Sequence, residues 1–435
     1  MDPMSSADIR SPASAKRRRR VFPTTVDALG DDALCMIFAF LDLVYLIRCS
    51  AVCKSWRTVI NKLKLLQIQY HKQQQADSAS VSDLSNYSEK LVNIHMEQLA
   101  MRRQRSSLHE GSVDIFQWKA HSVGFNKCRM KMGLILTGVG DEVMRLWSAE
   151  SCKGLDEYQL PDRAPLIDFD FDEGKVVGLV GTRICIWRRT GTRDLFSSRE
   201  GLFTRGLCMC YVDPQAVVGC EDGKARVFDM YSRKVSQIIK MHPGAISSLC
   251  FSDEQLIVSG SSLGSISISD LSSDQRVVTL DTTSSAGIKT LYLNPSSYSL
   301  FAGSSTGHAS CWDLRMMRRR WEIRASPNVL YSMHHLRNDT STLVVGGIDG
   351  VLRIVDQGSG DVLSRCIMEN SSISSGSTDE NRVIVRKKLA TRLAEDDRID
   401  LMPNRPPISC LAVGMQKVVT AHSDRYISVW KFGIK

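Results

Sequence analysis

The sequence predicts an all-β fold, a seven-bladed β-propeller, preceded by a small all-α domain and a helical linker. Three observations predict it. A strand-patterned unit recurs seven times beyond residue 112, with spacings of 40, 41, 41, 43, 43 and 75 residues between equivalent positions. Residues 22–66 lack that alternation and carry apolar residues at helical spacing instead. The chain has 435 residues, 43% hydrophobic and 24% charged, which is too long for one ordinary core and apolar enough to bury more than one.

The first segment, 1–21, is a polar tail expected to lie outside any fold, and its run Lys16 to Arg20 supplies five of the positive charges behind a net +9. The run resembles a nuclear-import signal. The competing readings are a plain solvated tail and a salt-sensitive attraction to phosphate; with no interleaved aromatics, nucleic acid is not expected as a partner. No apolar run reaches the roughly 18–20 residues of a membrane span, so the expected address is nucleus and/or cytoplasm, with no membrane partner. The thirteen cysteines are scattered, with no CxxC pair, and read as reduced thiols. Even the closest pairs, Cys49/Cys53 and Cys208/Cys210, sit in a helical and a strand pattern respectively, so no metal or cofactor is expected.

In 22–66, Asp31 to Leu41 puts Leu34, Ile37, Phe38 and Leu41 at helical spacing, with Asp31 or Asp32 available as a cap. Short helices follow around Val44 to Arg48 and Val52 to Ile60. Three helices this short make a poor core alone, and such domains complete themselves against a partner. The segment resembles the F-box family through Leu29, Leu34, Ile37, Phe38, Leu41, Asp42-Leu43, Leu46 and the block VCKSWR from Val52 to Arg57; Gly30 stands where the family usually has Pro. The resemblance implies docking to a Skp-type adaptor, and through it to cullin and RING subunits. The residues it nominates are Leu29, Leu34, Ile37, Phe38, Leu41, Leu43, Leu46, Val52, Cys53 and Trp56. Trp56 has a competing role in the module's own core, and an ordinary helical bundle is the alternative for the whole segment.

The linker, 67–111, has a Ser-rich break at Asp77 to Ser88 and then a helical pattern through Leu91, Ile94, Leu99 and Met101. It reads as either a semi-rigid spacer or a flexible tether.

From 112 onward each unit has short β-branched runs, period-two alternation and Gly, Asp or Ser at its turns. One such sheet cannot hide both faces, but seven packed radially can. The position most often aromatic is Trp147, Trp187, Phe228, Ser269, Trp312, Val355 and Trp430 in turn. The 75-residue spacing is one blade plus an insertion of roughly thirty residues at about 369–407, expected to project as a loop. The last unit stops after its third strand, and Ser112 to Trp118 can supply the fourth, clasping the ring. These segments resemble the WD-repeat family. By that resemblance His121, Thr137, Asp141 and Trp147 form a buried tetrad in the first blade, while the last blade retains Thr420, Asp424 and Trp430. A charge-relay reading of His121, Asp141 and Thr137 fails for want of an exposed nucleophile and an oxyanion site.

No Walker loop, HExxH or nucleophile elbow is present, and no concentration of Asp, Glu or His marks a catalytic cluster in the channel, so no catalytic residue is assigned. The two family resemblances together imply the substrate-recognition subunit of an SCF-type cullin-RING ubiquitin ligase, itself non-catalytic. A nuclear WD-repeat assembly scaffold outside any ligase is the alternative. The target, an unknown protein, is expected on the rim that carries Glu142, Thr182, Gly223, Gly264, Gly307, Gly350 and Arg425. There Arg183, Arg205 and Arg425 suit an acidic or phosphorylated segment, with simple surface solvation as the competing reading.

Overall fold

The computed structural model describes residues 31–41, 43–62, 65, 89–138, 142–161, 164–190, 195–197, 205–252, 255–272, 275–282, 285–369, 384–389 and 405–433. Leu29, Asp141, the basic run 16–20, the Ser-rich break and most of the insertion lie outside them. Two compact units result, 1–100 and 101–435.

The first unit contains helices α1 (Asp31–Ala39), α2 (Leu43–Val52) and α3 (Lys54–Lys62). Leu34 and Phe38, four apart on α1, point the same way and bury against Leu46, Val59, Ile60 and Leu65. Trp56 meets Phe38 edge-on at 5.3 Å between ring centroids. Between α2 and α3, Cys53 acts as the cap, its sulfur accepting the Trp56 N–H at 3.5 Å.

The second unit is a seven-bladed propeller plus the end of helix α4 (Glu89–Glu110). The innermost strands of blades 1 to 7 are Lys127–Lys131, Leu166–Phe171, Gly206–Val212, Ile246–Phe251, Ile288–Asn294, Leu330–His334 and Cys410–Gly414, each starting an antiparallel meander. Neighbouring blades bury their faces against each other. Val177, Leu179, Ile184 and Ile186 of blade 2, for example, pack on Met209, Tyr211, Val218 and Phe228 of blade 3. The seven equivalent positions from Trp147 to Trp430 all fall in third strands, and all but half-buried Trp147 are buried.

Ser112–Lys119 is the outermost strand of blade 7, paired with Tyr426–Gly433 from Ser112↔Gly433 to Lys119↔Tyr426. The clasp expected from the sequence is thus present. It is reinforced by the last turns of α4. Leu108 joins the core shared by blades 6 and 7, and Gln104 donates to Gly414 O at 3.3 Å. The Ser364 hydroxyl donates to Leu108 O at 3.1 Å, and Arg105 pairs with Asp356 at 2.8 Å. The helix turns into the clasp at Gly111, where a Cβ would stand 2.2 Å from Gly433 O. Residues 101–110, read from the sequence as linker, are therefore built into the propeller.

The insertion differs from the loop expected. Ile384–Leu389 pairs antiparallel with Val362–Glu369 as a fifth strand of blade 6, its β-branched Ile-Val start suiting a strand and its run of basic residues suiting an open sheet edge.

Candidate protein-binding surfaces

Blade 1 shows what the polar residues of its expected tetrad do. His121 Nε2 lies 2.8 Å from Thr137 Oγ1, which also accepts the Trp147 indole N–H at 2.9 Å. Arg145 approaches His121 Nδ1 at 2.8 Å and pairs with Glu157 at 2.8 Å. Thr137 is fully buried. These groups satisfy one another inside the blade, which is structural work with no access for a substrate. Blade 7 repeats the arrangement with a histidine the sequence reading missed. His422 Nε2 is 2.8 Å from Thr420 Oγ1, which accepts the Trp430 N–H at 2.9 Å. His422 lies two residues after Thr420, not ahead of the blade, so a search for the usual order passes it by. Blade 4, for which no tetrad was expected from the sequence, keeps His242 against Ser259 Oγ at 2.9 Å and Ser265 Oγ at 3.0 Å. The signal there was His242 standing seventeen residues before Ser259, close to the sixteen between His121 and Thr137.

The helical module presents two sets of apolar residues. Leu34, Phe38 and Leu46, nominated for adaptor docking, are turned into the module's own core, and Leu41, Cys53 and Trp56 are half-buried beside it. Of the nominated residues, Ile37 is 48% exposed and Val52 64%. Leu43 opens α2. The outward set is completed by Met36 at 65%, Phe40 at 91% and Tyr45 at 47% exposure, none of which the sequence reading singled out. Phe40, just past the end of α1, follows Met36 by four residues and Ile37 by three, so these three lie together at the C-terminal end of the helix, on the side opposite Leu34 and Phe38. So much large apolar side chain exposed on so small a unit is the physical mark of a docking surface.

On the propeller, the seven rim positions each immediately precede a third strand. Gly307 has φ +87 there, and a Cβ would stand 2.2 Å from Ser326 O, so the turn requires glycine. In an antiparallel meander, the turn between second and third strands shares its end with the connection into the innermost strand. Arg425 in such a turn, Arg183 opening the third strand just after one, and Arg205 in such a connection therefore share one face. All three are exposed. Arg205 is 3.6 Å from Glu221 of the neighbouring turn, and Arg425 lines a surface cavity of about 420 Å³ with Lys119, Gly124, Ser423, Asp424 and Tyr426. Two other turns are stapled internally: Asp222 by Arg226 at 2.8 Å and Asp349 by Arg353 at 2.5 Å.

The central channel, about 570 Å³, is more highly charged than the sequence suggested. Lys127 and Arg129 both reach Asp168, at 3.0 and 3.2 Å, and Lys131 reaches Asp170 at 2.7 Å. Burial alone would raise the Asp168 carboxyl, but Lys127 and Arg129 outweigh it and hold it below its ordinary range. Across the channel His334 takes a hydrogen bond with Tyr292 OH at 2.8 Å, and burial followed by the neighbouring His335 keeps its imidazole neutral. Charges matched this closely form a packed ladder between blades, and alternation along the strands placed them on one face. Among the described residues no cluster of three His, Cys, Asp or Glu could hold a metal ion, and no helix is long and apolar enough to cross a membrane.

Comparison with known proteins joins the two units. Residues 27–68 match the F-box domain family, spanning α1 to α3 and the outward apolar set. An F-box/WD-40 repeat-containing protein of Arabidopsis thaliana is 50% identical over 455 aligned residues, covering 99% of this chain and 100% of the relative. With an F-box match on the helical unit and seven WD-type blades on the other, the chain belongs to the F-box/WD-40 repeat-containing proteins.

Proposed function

We propose that the chain is the substrate-recognition subunit of an SCF-type cullin-RING ubiquitin ligase, with the F-box docking a Skp-type adaptor and the propeller holding a target protein. The observation that carries this reading is the outward face of Met36, Ile37, Phe40, Tyr45 and Val52, on a module whose own core is already filled by Leu34, Phe38 and Leu46. An apolar face of that kind is stable in water only when covered. The chain acts as a receptor and leaves the chemistry to its partners, in keeping with a Thr137–His121 pair sealed inside a blade and channel charges bound to each other. On the propeller, Arg183, Arg205 and Arg425 supply guanidinium groups suited to an acidic or phosphorylated segment of the target. A nuclear site of action fits the basic run 16–20.

The test is co-purification of the full chain with a Skp-type adaptor and cullin. Ile37→Glu with Phe40→Glu is expected to abolish adaptor capture while circular dichroism stays unchanged, since neither residue is in the core. Undiminished capture overturns the reading, and a chain that enters nuclear assemblies without adaptor supports a scaffold instead. Single Phe40→Ala is expected to weaken binding at least tenfold, as loss of one dominant apolar anchor costs about 2 kcal/mol or more.

A further inference from the structure

We propose that Cys128 and Cys410 form an oxidisable dithiol across the seam between blades 1 and 7, a modification site at which a hydroperoxide installs a disulfide that closes the ring covalently. The two cysteines lie on the innermost strands of the blades that meet where the ring closes. Cys410 Sγ accepts the Cys128 N–H at 3.4 Å and donates to Cys128 O at 3.3 Å. A sulfur held against both backbone groups of its neighbour puts the two Cα atoms roughly 5 to 7 Å apart, the separation a disulfide spans. The two side chains share the buried core between these blades. Both line the central channel, whose volume of about 570 Å³ admits a molecule as small as hydrogen peroxide.

The surroundings divide the labour. The hydrogen bond from Cys128 stabilises a thiolate on Cys410 against the cost of burial, and Arg129 adds its positive charge, so Cys410 is the more acidic of the two. Its neighbour Cys410, with burial, raises Cys128. The remaining channel cysteines are held as thiols: burial pushes Cys208 up to about 12 and Cys250 up to about 11, and Cys210 donates to Leu249 O at 2.9 Å. Cys410 thiolate attacks one peroxide oxygen, the O–O bond breaks, and with a proton the departing hydroxide leaves as water, giving a sulfenic acid. Cys128 sulfur then attacks that sulfur, the S–O bond breaks, and the thiol proton leaves with the hydroxyl as a second water. Two thiols and one peroxide become one disulfide and two waters, a two-electron oxidation of sulfur balanced by reduction of the peroxide.

Hydrogen peroxide treatment of the full chain, followed by alkylation under denaturing conditions and peptide mapping, tests this. The expected first product is a Cys128–Cys410 cross-linked peptide, lighter by two hydrogens than its reduced parts and reversed by dithiothreitol. Cys128→Ser should instead leave Cys410 trapped as a sulfenic acid that dimedone labels, and Cys410→Ser should abolish both products. The oxidised wild-type chain should melt at a higher temperature than the reduced one, with no such gap in either variant. The wild-type map stands without the variants should these fold poorly. If a dose that oxidises half-buried Cys152 leaves Cys128 and Cys410 both open to alkylation, or joins either to another cysteine, the proposal is overturned.

Discussion

Arg353 and Asp349 form a two-armed ion pair at 2.5 and 3.2 Å inside blade 6, with side chains only 2% and 3% exposed. Asp222 and Arg226 make the same four-residue pair in blade 3, at 2.8 and 3.0 Å, but closer to water. In both blades a carboxylate in the turn before the third strand meets a guanidinium inside that strand, which fixes the turn that shapes the rim. Arg353 Nε has no further hydrogen-bond partner, so Asp349 is its main compensation for leaving water.

Asp349→Ala therefore leaves a buried, uncompensated cation and is expected to cost about 3–5 kcal/mol of propeller stability. Asp222→Ala, whose partner is better solvated, should cost less than about 1 kcal/mol. Urea unfolding of the two variants gives the comparison. Adding Arg353→Met to Asp349→Ala should recover most of the loss, and a double variant no better than the single would show that packing, not charge, is responsible.

The joint between α4 and the clasp makes a second expectation. Chains beginning at residue 101 should melt above chains beginning at 111, because the latter lose Gln104, Arg105 and Leu108 and their contacts to blades 6 and 7. Chains beginning at 120 should melt lowest, with the whole outer strand of blade 7 gone. Gly111→Ala should lower the melting temperature of the full-length chain, since its Cβ meets backbone oxygens of Gly433 and Ser107 that cannot move aside. Equal melting of the 101 and 111 chains would remove α4 from the propeller's energetics.

Buried histidines set the response to acid. Burial holds His334 well below its ordinary 6.5, and also lowers His335 and His422. Their depressed folded values mean that the unfolded chain binds protons first as pH falls below 6.5. Stability is fully present above that value and declines below it, by up to about 1.4 kcal/mol per pH unit for each proton taken up. Asp168 adds a further loss only at much lower pH, as its own depressed value is passed. Chemical denaturation from pH 7.5 to about pH 5 should show the decline, and His334→Gln should flatten it. An unchanged slope would mean that His334 is protonated in the fold or already solvated.

At the rim, Arg425→Glu is expected to weaken capture of an acidic target peptide at least tenfold, about 1.4 kcal/mol or more, while Arg318→Glu, on the outermost strand of blade 5, should leave it unchanged. Arg205→Glu should have a smaller effect, because Glu221 already shares its charge. Peptide titration by calorimetry reads the difference, and a reversed order would move the target off this face.

Much of this was legible from residue types alone. The period carried by Trp147, Trp187, Phe228, Trp312 and Trp430 exposes the blades because most third strands set a bulky aromatic at the same depth between sheets, with Ser269 and Val355 at the remaining two positions. The clasp was legible because a blade lacking a strand must find one elsewhere. The orientation of α1 was not. It carries apolar residues on both faces, Leu34 and Phe38 inward and Met36, Ile37 and Phe40 outward, and helical periodicity cannot say which of two apolar stripes its own module buries. Nor was the ladder of Lys127, Arg129 and Asp168, because charges on the innermost strands of separate blades become neighbours only when blade 2 packs beside blade 1.

The pairing of Ser112–Lys119 with Tyr426–Gly433 also governs how the molecule is born. During synthesis the first of these strands leaves the ribosome roughly 300 residues ahead of its partner, a separation at the far end of non-local topology. Until the partner arrives, the growing chain exposes the faces of its terminal blades and unpaired strand edges, which other nascent chains can join. Translation that halts anywhere before residue 426 yields an open arc of blades, sticky at both ends and a natural client for chaperones. The same geometry gives the cell a built-in check on completeness, because only a chain read through to its last strand can hide its edges.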